Sequence, residues 1–408
     1  MKLRSGHPYW LARDRLPRAL PPLESDADCE ALVIGGGVTG ALCAHMLVEV
    51  GFDCILIDKR DFLAPSTAGG STPASTALLL YELDTPLTEL TERIGEEDAA
   101  RCFLLGLEAI NELERLAALI PGGCDFARRK SLYIASKEAD AALLEREHRA
   151  RTRLGFRVDH LSRRDMAGQT SIRAPAALLT HDAAEVNPYR LAHGLLLGAQ
   201  SRGLRIFEGT RAEQYERAAG ETRIVTATGH TIRARHVVFA TGYEAHEQLQ
   251  KYVGRLISTY ACVTQPLRDT PGWPEHWLVW ETAHPYLYIR STPDGRAMIG
   301  GEDEPISDAS QRDALIPRKS AALLARFADL FPDIRAEPGM SWAGFFAQTE
   351  DSLPFIGPAP AEQFPGALLA LGYGANGITF SVIAARIIRD LITGSANNDA
   401  RLFRLDRD

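Results

Sequence analysis

The chain is 408 residues long, 45% hydrophobic and 24% charged, with a formal net charge of -8. This length accommodates one large composite domain or two interlocked ones, and the composition is globular, not disordered. The negative balance argues against a nucleic-acid partner, since such proteins usually gather a basic patch to meet phosphates.

Residues 1 to 28 read as an N-terminal arm, because Pro17, Pro21 and Pro22 forbid a regular helix or a central strand there. Met1 to Pro22 is basic in places but has no apolar core of the signal-peptide kind. Cys29 to Ile34 is a short apolar run, glycines follow, and a helical stretch continues to Val50. A second apolar run, Cys54 to Ile57, ends on Asp58, which completes a β-α-β unit of about 30 residues. The longest largely apolar stretch, Ala31 to Val48, lies inside this unit. Its glycines, Thr39 and His45 make it a strand, turn and helix and not a membrane span. A cytoplasmic protein is the expectation.

Thr88 to Leu119 is predicted helical with a break at Gly95. Phe103, Leu107, Ile110, Leu113 and Ala117 recur there at spacings of three and four, and Pro121-Gly122 stops the helix. Ser131 to Ser136 reads as a strand, and Glu138 to Leu154 as a charged helix. Pro188 to Gly203 is a helix leading into the strand Leu204 to Glu208. Short strands are predicted near Ala212 to Glu216, Arg223 to Ala227 and Thr231 to Ala234. His236 to Ala240 is a further buried strand, closed by Thr241-Gly242. Leu256 to Gly301 is aromatic and β-rich, with alternation in Tyr286-Leu287-Tyr288-Ile289. Ser320 to Phe331 reads as a helix, Ala367 to Leu371 as a strand, and Ile378 to Thr393 as an apolar helix ended by Gly394. Dinucleotide-type segments at the beginning, middle and end predict one discontinuous cofactor domain with a second domain inserted. The six cysteines are widely spaced, with no C-x-x-C pair and no zinc-spaced cluster, so no metal site is expected.

Gly35-Gly36-Gly37-Val38-Thr39-Gly40 fits G-x-G-x-x-G. The first glycine permits a tight turn, the second lets the backbone approach a pyrophosphate, and the third lets helix and strand pack closely. The diphosphate then meets free N–H groups at a helix N-terminus. Asp58, ending the next strand, is placed to accept hydrogen bonds from ribose hydroxyls, and an acid there disfavours the extra phosphate of NADP. This loop alone leaves FAD and NAD open. Pro65 to Thr76 is dense in glycine, serine and threonine, whose hydroxyls and amides suit phosphates or a flavin ring.

Seven pieces, in order, carry a resemblance: Val33 to Ala41 (VIGGGVTGA), Asp58, Gly70 to Leu79 (GSTPASTALL), Phe239 to Gly242 (FATG), Tyr286 to Gly301, Thr349 to Gly357 (TEDSLPFIG) and Gly372 to Ser381 (GYGANGITFS). With them the chain resembles the D-amino-acid oxidase/glycine oxidase superfamily of FAD-dependent oxidoreductases. HPYW in the arm (His7 to Trp10) is most similar to the gamma-glutamylputrescine oxidase-like branch. The resemblance implies an α/β fold, with a discontinuous Rossmann-type FAD-binding domain (29–124, 166–245 and 336–408) and an inserted antiparallel-sheet (α+β) substrate domain (125–165 and 246–335). It implies that Gly35, Gly37 and Gly40 hold the diphosphate, with Asp58 and Lys59 on the adenosine side. Ser71, Thr72, Ser75 and Thr76 border the diphosphate or flavin, and Thr241-Gly242 pass beside the adenine half. Gly374, Asn376, Gly377 and Ile378 face the flavin pyrimidine edge, where a helix N-terminus stabilises the charge of reduced flavin. Two departures stand out. Where the family usually has a glycine (AGLL), this chain has Thr76-Ala77-Leu78-Leu79, which puts the backbone path in question. Gly344 to Asp351 contains no cysteine, so flavin is expected to bind noncovalently.

On the substrate side, the resemblance places a carboxylate-binding arginine at Arg290, whose guanidinium fork grips a carboxylate with two hydrogen bonds. Tyr288, two residues earlier, shares that strand face. Tyr260, Trp342 and Tyr373 are candidate pocket walls, His284 is a candidate base, and Lys251 to Asp303 is expected to shape the pocket. The implied activity is oxidation of an amine or amino acid to an imine, with O2 or a carrier as acceptor. A dehydrogenase passing electrons to a quinone or carrier, and a non-catalytic flavoprotein subunit, stay open as alternatives.

Overall fold

A computed structural model of the chain describes residues 1–14, 20–60, 70–218, 220–245, 249 and 254–407. Two sheets organise it. In the first, Ala27–Ile34 is central, with Thr231–Phe239 parallel on one side and Cys54–Ile57 parallel on the other. Ala367–Leu371 and Arg205–Phe207 extend the parallel set at either end, and Phe355–Pro358 adds an antiparallel edge. The reason is legible in the residues: Leu32, Val33, Ile55 and Leu56 are fully buried, the continuous apolar run of a strand covered on both faces. Helices Val38–Glu49, Pro188–Gln200 and Gly377–Thr393 pack together on this sheet, and Glu96–Ala118 packs on the last of them.

The second sheet has ten strands, in the order Arg4–Gly6, Pro338–Gln348, Arg255–Thr264, Ala297–Glu304, Leu287–Ser291, Leu278–Glu281, Ala127–Ile134, Ala176–Glu185 and Leu78–Leu79, with Val158–Ser162 branching from Ala176–Glu185. Its pairings are antiparallel except one: Leu278–Glu281 runs parallel to Ala127–Ile134 and joins the two excursions of the chain into one surface. Helix Ala309–Leu330 covers its far side, where Leu323 and Phe327 are fully buried. Each such side chain contributes about 1.5–3 kcal/mol.

Several expectations need correction. Ala176–Glu185 and Pro338–Gln348 pair within the second sheet, whereas the boundaries drawn at 166 and 336 put both with the cofactor segments. The arm is an integral part of the fold. Arg4–Gly6 pairs with Pro338–Gln348, and Tyr9–Arg13 is a short helix with Trp10 fully buried; Pro17 lies outside the described residues. Thr231 to Phe239 is one strand and not two. The helix expected from Ser320 begins at Ala309, where the Asp308 carboxylate accepts from the Gln311 N–H, and Pro317 sits inside it.

Candidate active site

One cavity of about 410 Å³ runs between the two sheets, lined from Gly35 and Asp58 at one end to Tyr286 and Asp303 at the other. Its first end is built by the β-α-β unit. Gly35 has φ +118°, and a Cβ there would stand 2.4 Å from the Ala240 carbonyl oxygen. A Cβ on Gly40 would stand 1.8 Å from the Gly35 carbonyl oxygen, so the third glycine does serve close helix–strand contact. The Asp58 carboxylate accepts from the N–H groups of Gly36 (2.7 Å) and Arg60 (2.9 Å). Burial nevertheless raises its pKa, against the opposing effect of those bonds. Lys59 and Arg60 both pair with Glu244.

The middle of the cavity fits a dinucleotide by its donors. Gly37 caps helix Val38–Glu49 and Asn376 caps helix Gly377–Thr393, and neither makes a side-chain capping bond. Both helix starts thus lack a side-chain cap from their own N-cap residue and present a helix N-terminus suited to an anionic ligand. The Thr72 hydroxyl accepts from the Val38 N–H at 3.0 Å, tying the hydroxyl-rich segment to the glycine loop. The Ser71 hydroxyl is buried with no hydrogen-bond partner. The Asn376 amide donates to the Glu82 carbonyl at 2.8 Å, which fixes the second helix start against the chain after Leu79. These residues fit FAD, and no cysteine lines the cavity.

The structure brings nearly all the predicted cofactor residues to this cavity: Gly35, Gly37, Asp58 and Lys59, then Ser71, Thr72, Ser75 and Thr76, then Thr241, Gly242, Gly374, Asn376, Gly377 and Ile378 line it. Gly40 lies beneath it. Pro65 to Gly69 of the hydroxyl-rich segment are outside the described residues. The segment's departure from the AGLL pattern has a visible cost, because Ala77 adopts φ +57°, the region that favours glycine.

Arg290 is the main correction. It is fully buried and absent from the cavity lining. Its Nη1 donates to the carbonyls of Thr76 (3.2 Å), Ala77 (3.0 Å) and Val186 (2.9 Å), and its Nε lies 3.3 Å from Glu185. The strand alternation is as expected, but the guanidinium donates to the carbonyls of Thr76 and Ala77 in the turn and to those of Val186 and Ser291, while its Nη2 is buried with no hydrogen-bond partner among the described residues. Arg290 therefore holds the wall of the site. Trp10 and Trp342 act on the same turn, their indole N–H groups donating to the carbonyls of Ser75 (2.7 Å) and Ala74 (2.8 Å). Trp342 is thus behind the pocket wall and does not face the cavity. Tyr260 packs in the core under helix Ala309–Leu330, and His284 is exposed and outside the lining.

Tyr288 does line the cavity. Its hydroxyl lies 3.2 Å from the Thr259 hydroxyl, and Gly300 makes room for its ring, since a Cβ there would stand 2.1 Å from it. Tyr373 also lines it, with its hydroxyl buried beside Thr39. Asp84, Trp280, Tyr286 and Asp303 share this end with Tyr288; Trp280, Tyr286 and Asp303 fall in the Lys251 to Asp303 region expected to shape the pocket but were not singled out, and Asp84 was missed. The Tyr286 hydroxyl donates to the Asp84 carbonyl at 3.2 Å, and the Asp84 carboxylate sits against Gly374, accepting from the Ala375 N–H at 3.4 Å. Burial pushes the Asp84 carboxyl up to about 6 and the Asp303 carboxyl up to about 7.

Residues 30–391 match the DAO family model, FAD dependent oxidoreductase, and the chain belongs to that family. FAD is therefore its cofactor. It is 23% identical to gamma-glutamylputrescine oxidoreductase of Escherichia coli, over 95% of this chain and 89% of that protein. It is 26% identical to glycine oxidase of Geobacillus kaustophilus, over 89% of this chain and 92% of that protein. The crystal structure of that glycine oxidase superposes with a TM-score of 0.72 at 22% identity, covering 94% of this chain and 99% of that one. L-amino acid deaminase from Proteus vulgaris superposes with a TM-score of 0.74 at 17% identity, covering 95% and 100%. Among the described residues, no helix is long and apolar enough to cross a membrane, and no group of side chains is arranged to hold a metal ion.

Proposed function

We propose that this oxidoreductase oxidises the C–N bond of an amine or amino acid: hydride leaves the carbon beside nitrogen for FAD, a proton leaves the nitrogen for solvent, and water hydrolyses the resulting imine. The observation that carries this reading is one continuous cavity in which the FAD cradle runs into an aromatic end lined by Trp280, Tyr286 and Tyr288. FAD supplies the two-electron acceptor. The protein supplies the rest: Asp58 and the glycine loop receive the adenosine and diphosphate, Arg290, Trp10 and Trp342 hold the turn that walls the site, and the tyrosines exclude water from the reacting carbon. The similarity to gamma-glutamylputrescine oxidoreductase and to glycine oxidase supports a substrate of this kind. The terminal acceptor is O2 or a carrier, and the rate of flavin reoxidation in air separates the two. Anaerobic addition of amines and amino acids to the yellow protein tests the proposal. Bleaching of the flavin bands is expected, and a flavin that dithionite reduces but no amine or amino acid does contradicts it.

A further inference from the structure

We infer that the substrate bears a second, non-reacting cationic nitrogen, as an alkyl diamine does, and that Asp84 and Asp303 hold it between Trp280, Tyr286 and Tyr288. The inference rests on the amine-oxidising reading above and gives it a substrate class.

The charges lining the cavity are divided by position. Among the described residues its cations are Lys59, Arg60 and Arg211. Lys59 and Arg60 are engaged with Glu244, and Arg211 follows Thr210, whose N–H donates to the Asp58 carbonyl at 2.7 Å. All three belong to the adenosine end. At the other end the lining has carboxylates and no cation. Glu82 is satisfied there by buried Arg151, at 3.3 Å. Among the described residues Asp84 has only the long bond from Ala375, and Asp303 accepts from the Thr259 hydroxyl while its Oδ1 is buried with no hydrogen-bond partner. Asp303 is faced by Thr259, Asp84, Glu302 and Lys319. Lys319 offsets its charge only in part, since the ammonium bridges Glu302 (3.2 Å) and Glu304 (2.8 Å). Asp84 is faced by Tyr286, Tyr288, Tyr243 and Tyr133, none of them a cation.

A substrate carboxylate in this end meets like charge without a guanidinium to offset it, because Arg290 is closed off behind the Ser75–Ala77 turn. A compact ammonium meets the reverse: two carboxylates, and the rings of Trp280, Tyr286 and Tyr288, side chains of a type that attracts cations. The reacting nitrogen must be neutral to release hydride, so the charge these residues recognise belongs to another nitrogen of the same molecule.

The test uses the FAD-loaded full chain under anaerobic conditions, with diaminobutane, butylamine, glycine, sarcosine and D-alanine. Diaminobutane is expected to bleach the flavin at concentrations roughly tenfold or more below those needed for the others. Asp303→Asn is expected to raise its half-saturating concentration roughly tenfold while leaving FAD content unchanged, and Asp84→Asn, whose carboxylate also meets the Ala375 N–H, to raise it similarly per FAD-loaded molecule. Tetramethylammonium, which cannot form an imine, is expected to perturb the oxidised flavin spectrum where acetate does not. Bleaching by butylamine or by an amino acid at equal or lower concentration overturns the inference and leaves amine oxidation standing. A dithionite-reducible flavin that none of the five bleaches overturns both.

Discussion

The two ends of the cavity are made in different ways. At the adenosine end, one contiguous stretch from Ala27 to Arg60 supplies strand, glycine turn, helix and acid, and Lys59 and Arg60 are matched by Glu244. At the far end, Asp84, Thr259, Trp280, Tyr288 and Asp303 come from five separate places in the chain, and the carboxylates have no cation matched to them. The first end is a completed binding motif, whereas the second is electrostatically unfinished until a ligand arrives. A site of this kind keeps its cofactor grip in local geometry and leaves its substrate choice to long-range assembly.

The largest effect that separates the ends is expected from Gly40→Ala. Its Cβ falls 1.8 Å from the Gly35 carbonyl oxygen, so helix and strand must part where the diphosphate sits. The flavin-to-protein absorbance ratio is expected to drop from near stoichiometric to nearly none. Arg290→Ala comes next. It removes a fully buried guanidinium from four carbonyls and leaves Glu185 with Arg129 alone, a loss of roughly 3–5 kcal/mol in denaturant unfolding. Equal loss of activity toward substrates with and without a carboxylate is expected, and selective loss for the carboxylate-bearing ones restores the role first read from the sequence.

A smaller effect follows from the raised carboxyls. Both groups titrate near 3.8 when unperturbed and at about 6 (Asp84) and about 7 (Asp303) when folded, so the native state holds protons that the unfolded chain has released. These two groups therefore contribute a loss of stability as pH rises from about 4 through about 7, read as the difference in melting temperature between the parent and Asp303→Asn across that window. Asp303→Asn flattens part of this slope, and diaminobutane restores stability at the upper end. The smallest effect is Ala77→Gly. Relief of a left-handed alanine, worth about 1–2 kcal/mol, is partly offset by about 0.5–1 kcal/mol of glycine entropy. A slight rise in melting temperature is expected.

The same division governs what the sequence revealed. Cys54–Ile57 and Ala367–Leu371 were readable to the residue because buried parallel strands are short apolar runs between turn signals. Ala176–Glu185 was not, because Ala176 to Thr180 are all buried, which erases the period-two alternation, and alanine adds little strand signal. Arg4–Gly6 is three residues long and exists only through its partner. The cofactor residues were legible from fixed local spacings. Asp84 and Asp303 were not: Asp303 stands in the run Glu302-Asp303-Glu304, which reads as a solvated acidic face until Thr259 and Tyr288 are folded against it. Arg290 was placed on the correct strand face, but the turn that covers it comes from more than two hundred positions away, at Thr76 and Ala77.

The most direct test of this division measures FAD content and the half-saturating concentration of diaminobutane in Asp58→Asn and Asp303→Asn side by side. The account predicts that Asp58→Asn loses FAD, while Asp303→Asn keeps it and needs roughly tenfold more diamine. An Asp303→Asn protein that binds diaminobutane as tightly as the parent, or that loses FAD as Asp58→Asn does, contradicts it.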